Sequence, residues 1–159
     1  MKIALITDTH FGGKNDNLAF AEFQRRFYEG TFFPILDREK ITTVFHLGDT
    51  FDRRKYTNYN TLKLAKEMFF TPIYERDIDL HVLLGNHDCY FKSTNDVNSM
   101  SLTCGEYPIH LYKDTPEVIN FDGLDILMTP WIAPDKHAES LRIISRAKAD
   151  FLMGHLPLQ

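Results

Sequence analysis

Thr42-Thr43-Val44-Phe45-His46-Leu47-Gly48-Asp49-Thr50-Phe51-Asp52-Arg53 is the stretch whose reading decides the fold. The β-type apolar run from Thr42 to Leu47 breaks at a glycine, which reads as a buried strand ending in a turn. Polar, metal-type side chains follow at once. The pattern recurs three times: Lys2–Ile6 leads into Asp8-Thr9-His10, Leu80–Leu84 into Gly85-Asn86-His87-Asp88, and Phe151–Met153 into Gly154-His155. Strand ends on an α/β sheet are where groups from distant points in a chain converge. Carboxylate, imidazole and amide oxygen are donors that hold a pair of divalent transition metals.

Between the strand runs the spacing predicts helices, so the fold class is α/β. Phe20, Phe23 and Phe27 recur at three- and four-residue steps, marking an amphipathic helix over roughly residues 17–29. Gly30 and Pro34 punctuate it, and a short helical continuation reaches about Arg38. The phenylalanines of residues 20–33 read as core. Leu62, Ala65, Met68 and Phe69 mark a second amphipathic helix, kinked or ended by Pro72. Short strands are expected near Ile109–Tyr112, Val118–Phe121 and Leu124–Met128, with Asp122-Gly123 as a hairpin turn. Asp135 is expected to cap a helix running to about Lys148, before a last strand over Asp150–Met153.

The chain has 159 residues, 43% of them hydrophobic, enough for one ordinary core. No apolar run approaches the length of a membrane span. The first strand begins without a preceding cleavable apolar segment, and Cys89 and Cys104 are too few for a disulfide framework. Both point to a reducing, cytoplasmic setting. Net charge is −4, which argues against a general nucleic-acid coating protein. Metals would neutralise the ligand carboxylates, however, and leave Arg53, Arg54 and Lys55 as a basic edge, so a polyanionic substrate stays open.

Read singly, the motifs are ambiguous. Asp8 and His10 stand two apart, so in extended backbone both leave one face and can reach one metal; a turn with a solvated histidine has the same sequence. Asp49 can bridge two cations with its two oxygens, or sit in an ordinary turn. Asp52 and Arg53 add a second carboxylate and a phosphate fork. Gly85-Asn86-His87-Asp88 is the most specific, joining a neutral oxygen ligand to a histidine free to donate a proton. His155 draws its weight from the other three clusters. Cys89 reads as a buried thiol and Trp131 as a core anchor, while Tyr90, Phe91 and Lys92 suit either a strand-binding groove or a plain loop. His46 and His81 lie inside strands and His110 and His137 stand alone; all four read as structural or surface residues.

The order Asp-X-His, Gly-Asp-X-X-Asp-Arg, Gly-Asn-His-Asp, Gly-His resembles the calcineurin-like metallophosphoesterases. Within them, the stretch from His46 to Lys55, Thr129-Pro130-Trp131 and Phe151–His155 resemble double-strand-break-repair nucleases of the SbcD type, the phage recombination endonucleases above all. The resemblance implies a sandwich of two mixed sheets flanked by helices. It implies two divalent ions, Mn2+ foremost with Mg2+, Fe2+ or Zn2+ as alternatives. One ion would sit on Asp8, His10 and Asp49, the other on Asp49, Asn86 and His155. His87 would be the proton donor, oriented by Asp52, and Arg53 would meet phosphate. DNA as substrate, a coiled-coil ABC-type ATPase partner and a homodimer follow from the same resemblance.

The chain departs from the family in lacking a later Gly-His-X-His motif. It is therefore expected to be an N-terminal piece, cut before the last ligand pair, with weak metal affinity and an incomplete second sheet. Two rival readings remain: a phosphatase or cyclic-nucleotide phosphodiesterase on the same site, and a non-catalytic scaffold that has kept the fold.

Overall fold

A computed structural model describes residues 2–156. Four parallel strands, β1 (Ala4–Ile6), β2 (Thr43–His46), β3 (Asp79–Leu83) and β4 (Ile109–Tyr112), form one sheet in that order. The second sheet pairs β5 (Glu117–Phe121) antiparallel to β6 (Leu124–Thr129), with β7 (Phe151–Gly154) parallel to β6. Asp122 and Gly123 close the β5–β6 hairpin at φ 52° and 85°, the paired positive angles of a type I′ turn. The expected two-sheet sandwich is present, and each expected strand is found within a residue or two of its anticipated ends.

Two helical arms cover the outer face of the first sheet. Helix α1 (Leu18–Phe27) passes through a wide π turn at Tyr28–Phe32 into α2 (Phe33–Glu39). Likewise α3 (Tyr59–Ala65) passes through Lys66–Phe70 into α4 (Thr71–Glu75). Pro34 and Pro72 each stand just after the wide turn. Proline lacks the N–H that an α-helix needs and its ring crowds the carbonyl four residues back; a turn with longer-range pairing relieves both. Helical backbone thus continues through both prolines.

Phe32, Phe33, Phe69, Phe70 and Tyr28 are buried in the core between these arms and the sheet. Full burial of each such side chain contributes on the order of 1.5–3 kcal/mol. Phe23 and Phe27 are not core: they are 70% and 42% exposed. The helix is turned so that Ala21 and Gln24 face the sheet, because Gln24 Nε2 donates to the Thr9 carbonyl (2.5 Å). A second core lies between the sheets and holds Phe45, Leu83, Tyr112, Ile126 and Met128.

A short helix α5 (Ser99–Thr103) is capped by Asn98, whose side chain accepts from Ser101 N (2.8 Å). Asp135 is not the cap expected of it. It lies inside a 3-10 turn, Pro134–Lys136, and α6 (His137–Arg146) follows without a side-chain cap. No helix among the described residues is long and apolar enough to cross a membrane.

Candidate metal centre

Beyond β1 and β2 the two chain segments stay zipped together. Asp8 N donates to Gly48 O (3.0 Å), His10 N to Asp49 O (3.0 Å) and Phe11 N to Thr50 O (2.8 Å). Along this zipper Asp8, His10 and Asp49 adopt left-handed backbone, with φ of 51°, 43° and 54°. The expectation of extended backbone from Asp8 to His10 therefore fails, yet both side chains reach the same place by another route. Non-glycine residues in this conformation cost of order 1–3 kcal/mol each and gather where geometry serves function. Two glycines permit the close approach. A β-carbon on Gly85 would overlap the backbone nitrogen and carboxylate of Asp49, and one on Gly48, at φ 100°, would strike the His155 ring.

Asp49 is buried at the middle of the cluster and its two oxygens face different donors. Oδ2 lies 3.6 Å from His10 Nε2, which is itself 3.5 Å from Asp8 Oδ1. Oδ1 lies 3.4 Å from His155 Nε2 and accepts from His87 N (2.8 Å). Asp8, Asp49 and His155 offer ligand atoms within 4.8 Å of one another, and so do His10, Asp49 and His87.

Hydrogen bonds to main-chain carbonyls set the histidine tautomers. Leu47 O can only accept, so His155 carries a proton on Nδ1 (2.8 Å) and points Nε2 at Asn86 Oδ1 (3.1 Å) and Asp49 Oδ1. With Nδ1 carrying the proton, the Nε2 lone pair faces the same space as Asn86 Oδ1 and Asp49 Oδ1, an arrangement of donors that suits a metal ion. His10 Nδ1 is buried with no hydrogen-bond partner and lies 3.6 Å from Asp52 Oδ1, the carboxylate that would orient its ring if Nε2 took a metal. The residues fit a pair of divalent ions sharing Asp49.

His87 is oriented by Asp52 in an unforeseen way: its Nδ1 donates to the Asp52 main-chain carbonyl (2.6 Å), not to the carboxylate. Its ring packs edge-on to His10 at 5.0 Å. Arg53 stands apart from the cluster, its guanidinium bonded to Tyr56 and Asn15, 3.4 Å from Asp16 Oδ2 and stacked over the Tyr56 ring. Cys89 is buried, with Sγ near Gly85 O and Asn95 Oδ1, and burial pushes its thiol up to about 12.

Two further residues support the centre: Asp88, and His46, one of the histidines expected to be structural or surface groups. Asp88 is fully buried and accepts from Thr50 N (3.0 Å), Phe51 N (3.1 Å), Gly85 N (3.0 Å) and Ser99 Oγ (3.3 Å), locking the β2 and β3 loops together. Burial pushes its carboxyl up to about 6 against the pull of those N–H donors. Its place directly after His87 was the available signal. His46 accepts from Gly48 N at Nδ1 (3.3 Å) and so donates from Nε2 to Thr9 Oγ (2.9 Å), which donates on to Thr50 O (3.1 Å). Nothing in the sequence pairs Thr9 with His46.

Burial pushes His46 down from 6.5 to about 4. The folded state therefore favours the neutral ring, and its contribution is complete above pH 6.5 and lost as pH falls toward 4. The depression corresponds to about 3 kcal/mol. Urea titrations across this window should show the stability gap between wild type and His46→Asn shrinking by about that amount as pH is lowered. A gap that does not change with pH would contradict the assignment.

This clustering at the ends of parallel strands joins a family pattern that matches residues 1–159, that of the calcineurin-like phosphoesterases. The chain belongs to this family. Its members are metal-dependent hydrolases, and the phosphoesterase described here carries the ligand groups to match. Exonuclease subunit 1 of Enterobacteria phage T4 is 32% identical over 160 residues, covering 99% of this chain and 46% of the relative. The phosphoesterase thus spans about half the length of that protein. A crystal structure of a protein of unknown function from Aquifex aeolicus superposes with a TM-score of 0.55 at 20% identity, covering 99% of this chain and 80% of the other. At that identity the likeness concerns the fold.

Proposed function

We propose that this phosphoesterase is a DNA nuclease domain that hydrolyses phosphodiester bonds with two divalent ions, Mn2+ foremost. The observation that carries the reading is Asp49, whose Oδ2 faces His10 and whose Oδ1 faces His155. Asp8, His10 and Asp49 would hold one ion, and Asp49, Asn86 and His155 the other. When bound, such a pair activates a shared water and clamps a phosphate oxygen. His87, anchored through Nδ1, presents Nε2 to the leaving sugar oxygen, to which the doubly protonated ring would give its Nε2 proton. Asp52 holds His87 with its carbonyl, and its carboxylate, 3.6 Å from His10 Nδ1, would orient that ring once Nε2 held an ion. Arg53, held by Asn15, Asp16 and Tyr56, is assigned to a phosphate oxygen.

DNA is favoured over a small ester by the name of the phage relative and by a groove lined by Arg53, Arg54, Lys55, Tyr56, Tyr59 and Tyr90. Basic and aromatic groups together suit a nucleic-acid strand. Lys55 is exposed. Lys55→Ala should weaken DNA binding and reduce the salt dependence of log K by about one phosphate contact. Fluorescence anisotropy over a salt series measures this, and an unchanged slope would remove Lys55 from the interface. An ABC-type ATPase partner, a second copy of the chain and further metal ligands from a downstream Gly-His-X-His motif belong to the same reading and rest on the family resemblance.

The test is Mn2+-dependent cleavage of an end-labelled duplex by this chain and by one extended through its natural downstream sequence. Cleavage by either supports the nuclease. Turnover of a small phosphomonoester with the duplex left intact would favour the phosphatase reading instead.

A further inference from the structure

Away from the Asp49 centre, the described residues contain one other group of metal-type donors: Asp79, His81 and His110. Asp79 opens β3 and His81 follows two residues later, so both side chains leave the same face of the sheet. His110 on β4 is in direct register with His81. These positions lie toward the start of β3, whereas the Asp49 centre is built at its far end. The two imidazoles stack with centroids 4.5 Å apart at 18°, and each turns Nε2 to the same carboxylate: His81 to Asp79 Oδ2 at 3.1 Å, His110 to Asp79 Oδ1 at 2.9 Å. All three donor atoms lie within 4.8 Å of one another.

As isolated strand residues these histidines read as structural or surface groups, and register brings them together. With no metal, His81 donates from Nε2 to Asp79 Oδ2, and His110 turns Nε2 to Oδ1 as a close ion-pair contact. The construction also suits the exchange of the Nε2 protons for a cation. His81 is buried, stacked on Phe45 at 4.6 Å, with Nδ1 2.7 Å from the Tyr112 hydroxyl. A hydroxyl both donates and accepts. His81 can therefore shift its proton from Nε2 to Nδ1, keep the bond to Tyr112, and free an Nε2 lone pair. The oriented outer partner of a metal-bound histidine has this same form. His110 and Asp79 have side chains 58% and 47% exposed, which leaves an entry path from solvent.

We propose that Asp79, His81 and His110 form a second metal site, specific for a late first-row divalent ion such as Zn2+, that pins edge strand β4 to β3. Two imidazoles and one carboxylate favour such an ion over Mg2+ or Ca2+, which take oxygen donors. On binding, each ring tautomerises from Nε2–H to Nδ1–H with no net proton release, Asp79 supplies one oxygen, and water completes the coordination. The site is independent of the nuclease reading, since it shares no residue with the Asp49 centre.

The test is a Zn2+ titration of the whole chain followed by histidine side-chain 15N NMR, with bound Zn2+ counted by equilibrium dialysis. His81 and His110 should each convert their Nε2 signal from the N–H type to the metal-bound type, separately from His10 and His155. His110→Ala, an exposed change, should bind one Zn2+ fewer. Tyr112→Phe keeps the packing and should weaken this site by about tenfold or more. Unmoved His81 and His110 signals at saturating Zn2+, or equal Zn2+ counts for wild type and His110→Ala, would overturn the proposal.

Discussion

Replacing Asp49 with alanine should reduce metal-dependent phosphodiester hydrolysis by at least about a thousandfold while leaving the chain folded. A metal pair supplies several kcal/mol of transition-state stabilisation, and about 4 kcal/mol corresponds to that factor. Asp49 is singled out because its oxygens are shared: Oδ2 faces the His10–Asp8 side and Oδ1 the His155–Asn86 side. Removing it would weaken both ions at once, whereas removing Asp8 or Asn86 would weaken one. The fold should survive, since the packing around Asp49 involves Gly48 and Gly85, and the principal buried group lost is the acceptor for His87 N. Initial rates over a Mn2+ series, with circular dichroism as the folding control, check this. A variant that is folded and within tenfold of wild type would remove Asp49 from the chemistry.

The second large effect is on stability. Asp88→Ala should destabilise the chain by roughly 3–5 kcal/mol, because it leaves the N–H groups of Thr50, Phe51 and Gly85 without their acceptor in the interior. That is a large share of the roughly 5–15 kcal/mol that holds an ordinary domain together. Asp88→Asn should fall between, since one oxygen remains to accept from Thr50 and Phe51 while the amide N–H2 turns toward Gly85 N–H. Chemical denaturation of the three proteins at pH 7 orders them. Equal midpoints for wild type and Asp88→Ala would mean that the loops are held by something other than this carboxylate.

Much of this architecture is legible in the residues themselves. A strand run that breaks at Gly48 or Gly85 and leads into ligand side chains marks both the sheet and the end of it that carries the site. Asp122-Gly123 specifies its own turn because few residue pairs accept positive φ twice. What escaped depended on partners distant in sequence. The Phe20, Phe23, Phe27 spacing announces a helix, yet the buried face was decided by Gln24 reaching Thr9. Gly30, Pro34 and Pro72 announce breaks, yet π turns just before the two prolines carry the helical backbone on.

The candidate site shows the same division. Asp8, His10, Asp49, Asn86, His87 and His155, drawn from four separate segments, converge because each follows a strand. How they converge was hidden. Asp8 and His10 get there through left-handed backbone, Asp52 orients His87 through a carbonyl, and Arg53 is held away from the cluster by Asn15, Asp16 and Tyr56. The Asp79–His81–His110 group needed the β3–β4 register, which a single sequence does not contain.

The most direct measurement is the anomalous diffraction of crystals grown with Mn2+. Two manganese peaks about 3.5–4 Å apart, with Asp49 between them, are the expected result. One peak should touch His10 and the other His155. A single ion on one side of Asp49, or manganese bound only elsewhere, would contradict the shared-carboxylate centre and the two-metal chemistry built on it.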